Sequence, residues 1–276
     1  MQYFRLVVRI LAIILWTLVS YTTILLGKTI LTYLKTPRRI WRSFFVKIWA
    51  RGIAKIIGMR ITTKGTPPKQ PFLLVSNHLS YVDIILFFTQ THTIFVAKGD
   101  LQHWPLFNFL IKVADTIFID RGRKKDVMRV NALIRRAIQN NEGIIVFPES
   151  TSSCGDGVLR FKPSLFEYAA QNRFPVSYAS VSYETPEHEP PAFLSVCWWG
   201  DMELGPHFFD LMKISKFDAT IHFGNGTVLG SDRKTLAQES WRLVSEQFVP
   251  INTKQVEDYV DNKFISSQVD EKIASR

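Results

Sequence analysis

Short, continuous apolar runs alternate along most of this chain with longer stretches in which apolar positions recur every three or four residues. The short runs predict strands over residues 72–76, 93–97, 116–119, 144–147, 176–183, 194–199 and 219–223. Several are unbroken β-branched and aromatic segments, as expected for strands covered on both faces. The periodic stretches predict helices over 82–89, 105–113, 125–140, 163–171, 205–214 and 233–248. In 127–138, Val127, Val130, Leu133, Ile134, Ala137 and Ile138 fit a helical stripe better than alternation, and Gly143 follows as a stop. Such alternation predicts an α/β fold, a mixed and mostly parallel sheet flanked by helices.

One segment breaks the pattern. Ile10 to Gly27 is an uncharged run of 18 residues, close to the roughly 20 needed to span a bilayer. Arg5 and Arg9 precede it, and nine Lys and Arg follow it up to Arg60, interleaved with Trp41, Phe44, Phe45 and Trp49. That mixture suits the headgroup layer. No small-residue cleavage site follows, which argues against a removed signal peptide. A buried core helix is the bland alternative. The reading that fits best is an N-terminal membrane-embedded helical segment, either a full span or a helix pair dipping into one leaflet. By the positive-inside rule it leaves the main domain in the cytoplasm. The expected organisation is a basic membrane anchor over 1–57, an α/β domain over 58–250 that has a turn-rich connector at 64–70, and a polar tail over 251–276.

Charge sharpens this division. The chain of 276 residues has a net charge of +10, but no Asp or Glu precedes Asp83, while 13 Lys and Arg do. The remainder holds 21 basic and 24 acidic side chains. The excess positive charge therefore belongs to the anchor and points to a membrane surface, away from nucleic acid. Cys154 and Cys197 form no framework pattern, and in a cytoplasmic domain both are expected to be reduced.

Candidate chemistry gathers at strand ends. Asn77-His78-Leu79-Ser80-Tyr81-Val82-Asp83 follows the first strand, pairing a histidine suited to accept a proton with a carboxylate that can fix its tautomer. Lys98 follows the second strand. Ile117 to Arg123 runs a strand into a turn in which Gly122 lies between Arg121 and Arg123, a composition suited to an anion. Val146-Phe147-Pro148-Glu149-Ser150-Thr151-Ser152-Ser153 places a carboxylate and hydroxyls at another strand end, where they could equally cap a turn. Arg160 and Lys162 come next, and Phe174-Pro175-Val176 opens a further strand. Ligands of open α/β sheets collect at such ends.

Taken in order, these four blocks resemble the sequential motifs of the glycerolipid acyltransferase family, the bacterial 1-acyl-glycerol-3-phosphate acyltransferases in particular, over residues 58–225. The resemblance implies that His78 is the general base and Asp83 its partner. It assigns Arg121, Gly122 and Lys98 to the acceptor's phosphate, Glu149 and Thr151 to the acceptor-binding block, and Pro175 to the acyl side. It implies membrane lipids as partners, a lysolipid acceptor, acyl-CoA or acyl-carrier protein as donor, and neither metal nor bound cofactor. The location implied is a bacterial inner membrane.

The third block departs from the family's Glu-Gly-Thr-Arg, reading Glu149-Ser150-Thr151-Ser152. The glycine that would tolerate positive φ is lost, and so is a bidentate phosphate donor. Arg160, Lys162 or Arg123 compensates, or the acceptor is not a phosphate monoester. Residues 155–165 resemble a branch that includes lyso-ornithine lipid acyltransferases. The expected reaction is acyl transfer to 1-acyl-sn-glycerol-3-phosphate, with lyso-ornithine lipid as the alternative acceptor. A thioester hydrolase and a non-catalytic lipid-binding relative are the competing functions.

Overall fold

The computed structural model describes residues 1–33, 38–98, 116–119 and 124–251. Helices α1 (Gln2–Tyr33) and α2 (Arg38–Ile57) precede β1 (Met59–Lys64), β2 (Phe72–Ser76), α3 (Val82–Gln90), β3 (Thr93–Lys98) and β4 (Ile117–Ile119). Then come α4 (Lys124–Gln139), β5 (Gly143–Val146), a 3-10 turn (Pro163–Phe166), α5 (Glu167–Asn172) and β6 (Val176–Glu184). The chain continues through α6 (Ala192–Ser195), α7 (Leu204–Lys213), β7 (Phe217–Phe223) and α8 (Arg233–Gln247). The helix expected over 105–113, Arg121, Gly122 and Arg123, and the tail from Asn252 lie outside the described residues.

The strands form one sheet of seven in the order β1-β7-β6-β2-β5-β3-β4. From β6 to β4 all pairings are parallel, whereas β7 pairs antiparallel with β6 and carries β1 parallel at the edge. The C-terminal ends of β2, β3, β4, β5 and β6 therefore meet along one edge, the arrangement that the strand-end motifs require. All five residues of β2 are buried because both faces are covered. Phe72 and Leu74 face one apolar layer with α2, α3 and α7, while Leu73 and Val75 face another with α4, α5 and α8.

Two expectations are corrected here. Residues 194–199 are not a strand. Pro190 and Pro191 start the helical turn α6, whose backbone takes up the N–H groups of Ser195, Val196 and Cys197, and Trp198 instead donates its N–H to Leu79 O at 2.9 Å. Conversely, β1 precedes the connector at 64–70, at the start of the domain, where no strand was expected. Its mostly exposed Arg-Ile-Thr-Thr-Lys lacks an apolar signal, and it is an edge strand held by β7 alone.

Helix α1 is about 48 Å long at the α-helical rise and apolar enough to cross a membrane, with a mean hydropathy of 2.1 in its best 18-residue window. Only 17% of that window is buried, and Val7, Leu11, Leu15, Leu18 and Leu26 face outward, which is not the environment of a core helix. Its other side packs on α2 by reciprocal notches. Gly52 of α2 receives the Trp16 indole and Gly27 of α1 receives the Trp41 indole, where an added Cβ would sit about 2 Å from ring atoms. Trp16 Nε1 donates to Trp49 O at 3.0 Å, and Trp49 Nε1 to Thr17 Oγ1 at 3.1 Å.

The two N-terminal arginines are part of the α/β unit. Arg9 is buried and donates to the carbonyls of Met212, Ile214 and Ser215, at 3.2, 2.5 and 2.8 Å, while Arg5 donates to Lys213 O at 2.6 Å. These carbonyls end α7, where a helix leaves acceptors without intrahelical partners and favours a cation. The start of α1 and the end of α2 thus meet the same body. Arg9→Met, which keeps the stem and removes the donors, is expected to lower stability by about 3 kcal/mol, measured by thermal unfolding in detergent micelles.

Candidate active site

Where β2 ends, the Asn77 side chain continues its pairing. Its Nδ2 donates to Val181 O at 2.9 Å and its Oδ1 accepts from Val181 N at 2.8 Å, so a fully buried amide substitutes for one more rung with β6. The chain then turns out of the sheet at His78 and enters α3. Helix α3 has no side-chain cap at Tyr81. Asp83 in its first turn takes that role from inside, where the helix N-terminus favours negative charge. Its Oδ2 accepts from Leu79 N at 2.8 Å and Ser80 N at 3.2 Å.

The same oxygen lies 2.6 Å from His78 Nδ1. Asp83 is completely buried, while the His78 side chain is 22% exposed. With the Nδ1 proton given to Asp83, Nε2 carries the lone pair of the neutral ring. The ring is fixed a second way: it stacks on Phe147 at the end of β5, with centroids 4.2 Å apart and planes at 13°, and Phe147 stacks in turn on Phe95 of β3 at 5.8 Å. Residues from three neighbouring parallel strands or their ends therefore set one imidazole. The fourth partner of Asp83, unmarked in the sequence, is Tyr183 of β6, whose hydroxyl donates to Oδ1 at 2.6 Å.

Glu149 lies against the turn that carries His78. Its Oε2 accepts the His78 N–H at 2.9 Å and its Oε1 the Leu159 N–H at 2.8 Å, so both oxygens are occupied by backbone. Burial pushes its carboxyl up to about 8, against the pull of those two N–H bonds, and the charge of Asp83 adds to the rise. Ser153 N donates to His78 O at 3.0 Å, and Lys162 N to Pro148 O at 2.9 Å, so residues 149–162 wrap the turn on its open side.

Ser150 occupies the left-handed region at φ 74°, the conformation anticipated from the family's glycine at that place. Thr151 is exposed on the loop. The Ser152 hydroxyl donates inward to Trp198 O, which joins this loop to the segment that binds Leu79. Of the cations proposed as substitutes, Arg160 lies 3.7 Å over the Trp241 ring of α8, whose Nε1 donates to Val158 O at 2.9 Å, and Lys162 is exposed. Lys98 ends β3 in register with Ile119 of β4, the strand that leads into Arg121 and Gly122.

A second layer lies under Tyr81. His207 of α7 donates from Nε2 to Cys197 O at 2.9 Å and accepts from the Tyr81 hydroxyl at Nδ1, at 3.1 Å. Burial pulls the His207 imidazole down, which favours this neutral form. Sequence spacing offers no signal for Tyr183, Trp198 or His207, which come from elements some 100 residues downstream of His78.

Two outcomes follow for stability. Glu149 ionises at about 8 when folded against 4.5 as a free side chain, so the stability it gives is fully present below 4.5 and is lost as pH rises towards 8. Glu149→Gln should flatten this slope in melts run from pH 5 to 9. It should also cost about 1–3 kcal/mol, because the amide NH₂ would face one of the two N–H donors. Ser150→Gly relieves the left-handed backbone and should raise stability by about 1 kcal/mol in denaturant titrations.

A family model described as Acyltransferase matches residues 59–182, a span that carries His78, Asp83 and Glu149. The lyso-ornithine lipid O-acyltransferase of Rhizobium meliloti (strain 1021) is 28% identical over 222 residues, covering 75% of this chain and 74% of that protein. The 1-acyl-sn-glycerol-3-phosphate acyltransferase of Neisseria meningitidis serogroup B is 29% identical over 121 residues, 43% of this chain and 48% of its own length. The crystal structure of PlsC, the 1-acyl-sn-glycerophosphate acyltransferase of Thermotoga maritima, superposes with a TM-score of 0.60 at 18% identity, covering 88% of this chain and 97% of that one, which shows a shared fold. Residues 59–182 thus match an Acyltransferase domain, and the relatives similar to this chain over most of its length are named as lipid O-acyltransferases.

Proposed function

We propose that the protein transfers a fatty acyl group from a thioester, acyl-CoA or acyl-carrier protein, to the free hydroxyl of a lysolipid, with lyso-ornithine lipid as the acceptor. His78 Nε2 removes the hydroxyl proton as that oxygen attacks the thioester carbonyl. The carbon–oxygen bond forms, the carbon–sulfur bond breaks, and the proton passes from the imidazolium to the departing thiolate. Asp83 holds the ring and stabilises the imidazolium between these steps. A base of this kind contributes roughly 100- to 10,000-fold. The observation that carries the reading is the 2.6 Å contact between His78 Nδ1 and a fully buried Asp83, beside a partly exposed ring.

The choice of acceptor rests on the third block. Where a phosphate-binding arginine would stand, the Ser152 hydroxyl is turned to Trp198 O, and the nearby Arg160 is stacked on Trp241. A second relative, from Brucella abortus (strain 2308), bears the same lyso-ornithine name and is 28% identical over 211 residues. Arg121 and Gly122, with Lys98 at the preceding strand end, favour the second reading, 1-acyl-sn-glycerol-3-phosphate giving phosphatidic acid. In either case Glu149 maintains the acceptor loop through backbone, and Thr151 is the exposed hydroxyl that loop presents.

Residues 1–57 seat the enzyme in the membrane, 58–250 form the α/β unit, and 251–276 form the tail. Because Arg5 and Arg9 bind the same body that α2 enters, a helix pair seated in one leaflet fits better than a single span with its ends on opposite sides. The basic residues of α2 favour the cytoplasmic face of a bacterial inner membrane.

His78→Ala is expected to abolish transfer while the protein remains folded and membrane-bound. Substantial turnover by the purified variant would remove His78 as the base. Product masses from acyl-CoA and a panel of lysolipids decide the acceptor: acylated ornithine lipid supports the first reading, phosphatidic acid the second. Acyl-CoA hydrolysis independent of any lysolipid would make the protein a thioesterase instead.

A further inference from the structure

We infer that Tyr183 is a positioning residue for the reaction, acting on the histidine through Asp83. This rests on the reading of His78 as the base.

The two oxygens of Asp83 are served unequally. Oδ2 takes His78 Nδ1 and the Leu79 and Ser80 N–H groups, all from the same short stretch of chain. Oδ1 takes the Tyr183 hydroxyl at 2.6 Å, among the described residues the one hydrogen bond that reaches the carboxylate from another strand. Three bonds to Oδ2 draw on a single short loop, so the carboxylate can shift only as that loop shifts. The tyrosine ties the other oxygen to β6, so the position of the carboxylate, and with it the bond to His78, is referred to the sheet.

Tyr183 is equipped for this and for little else. It is buried, with its hydroxyl turned to Asp83. Burial, followed by the adjacent charge of Asp83, raises its hydroxyl well above the ordinary range, so it keeps its proton and can donate. Its ring is held edge-on by Phe217 of β7 at 6.0 Å, and its backbone is in register with Ala219. The antiparallel addition of β7 to an otherwise parallel sheet thereby supports the donor. A charge-assisted bond of this length between two buried side chains is among the stronger kinds.

A merely structural tyrosine would satisfy a buried oxygen and do no more. Kinetics separate the two roles. In Tyr183→Phe, the ring still packs on Phe217, and kcat per folded molecule is expected to fall about 10- to 100-fold, the factor carried by one hydrogen bond to a charged group. The acceptor KM should stay within about twofold, because no substrate contact is lost. A lowered melting temperature with kcat unchanged would overturn the proposal. Should Tyr183→Phe fail to fold, Tyr183→para-aminophenylalanine keeps the shape and a weaker donor. Reduced kcat at unchanged KM supports the role there, and wild-type kcat overturns it. Inactivity of His78→Ala together with full activity of either Tyr183 variant would reject this inference and leave the proposed reaction standing. Full activity of His78→Ala would reject the reaction itself.

Discussion

A carboxylate with no exposure to water must be surrounded by donors, and in this molecule that requirement falls on Asp83. Its donors come from the turn between β2 and α3 and from the C-terminal end of β6. Each is correct only if the strand order around it is correct. The neighbouring supports follow the same logic: Asn77 continues β2 onto β6, and Glu149 ties the end of β5 to the N–H of His78. The fold can thus be viewed as the set of constraints that delivers four protons to one buried side chain.

The second buried carboxylate behaves differently. Asp83 has a helix N-terminus and a histidine beside it, whereas Glu149 has two amides and the unfavourable charge of Asp83. Two acids with adjacent positions but unlike surroundings therefore divide the work. One gathers four donors, the histidine among them, and the other braces a loop with its carboxyl pushed up to about 8 by burial.

Much of this was legible in sequence, for reasons that can be stated. Strands such as β2 and β5, covered on both faces, declare themselves as unbroken apolar runs, so their ends were located and the motifs at those ends fell on one edge. The exposed Arg-Ile-Thr-Thr-Lys of β1 has no such signature, and its pairing depends on β7, some 155 residues later. Residues 194–199 misled because their apolar content reflects burial under the site; two prolines ahead of them directed the backbone into a turn. His78 and Asp83 lie five residues apart and could be paired by eye. Tyr183 is 100 residues from Asp83, and only the sheet order brings them together. The serine at 150 was identified as an awkward substitute for glycine, and its backbone does adopt the left-handed conformation.

The bonds of Arg9 also impose an order on how the molecule comes into being. The carbonyls it binds lie at least 203 residues further along the chain. A ribosome delivers the apolar helix long before it delivers Met212, Ile214 and Ser215. Until then the two early arginines lack the carbonyls that hold them in the finished fold. The last segments of the α/β body are consequently docked onto a helix made at the very start, so its attachment is among the final contacts to close.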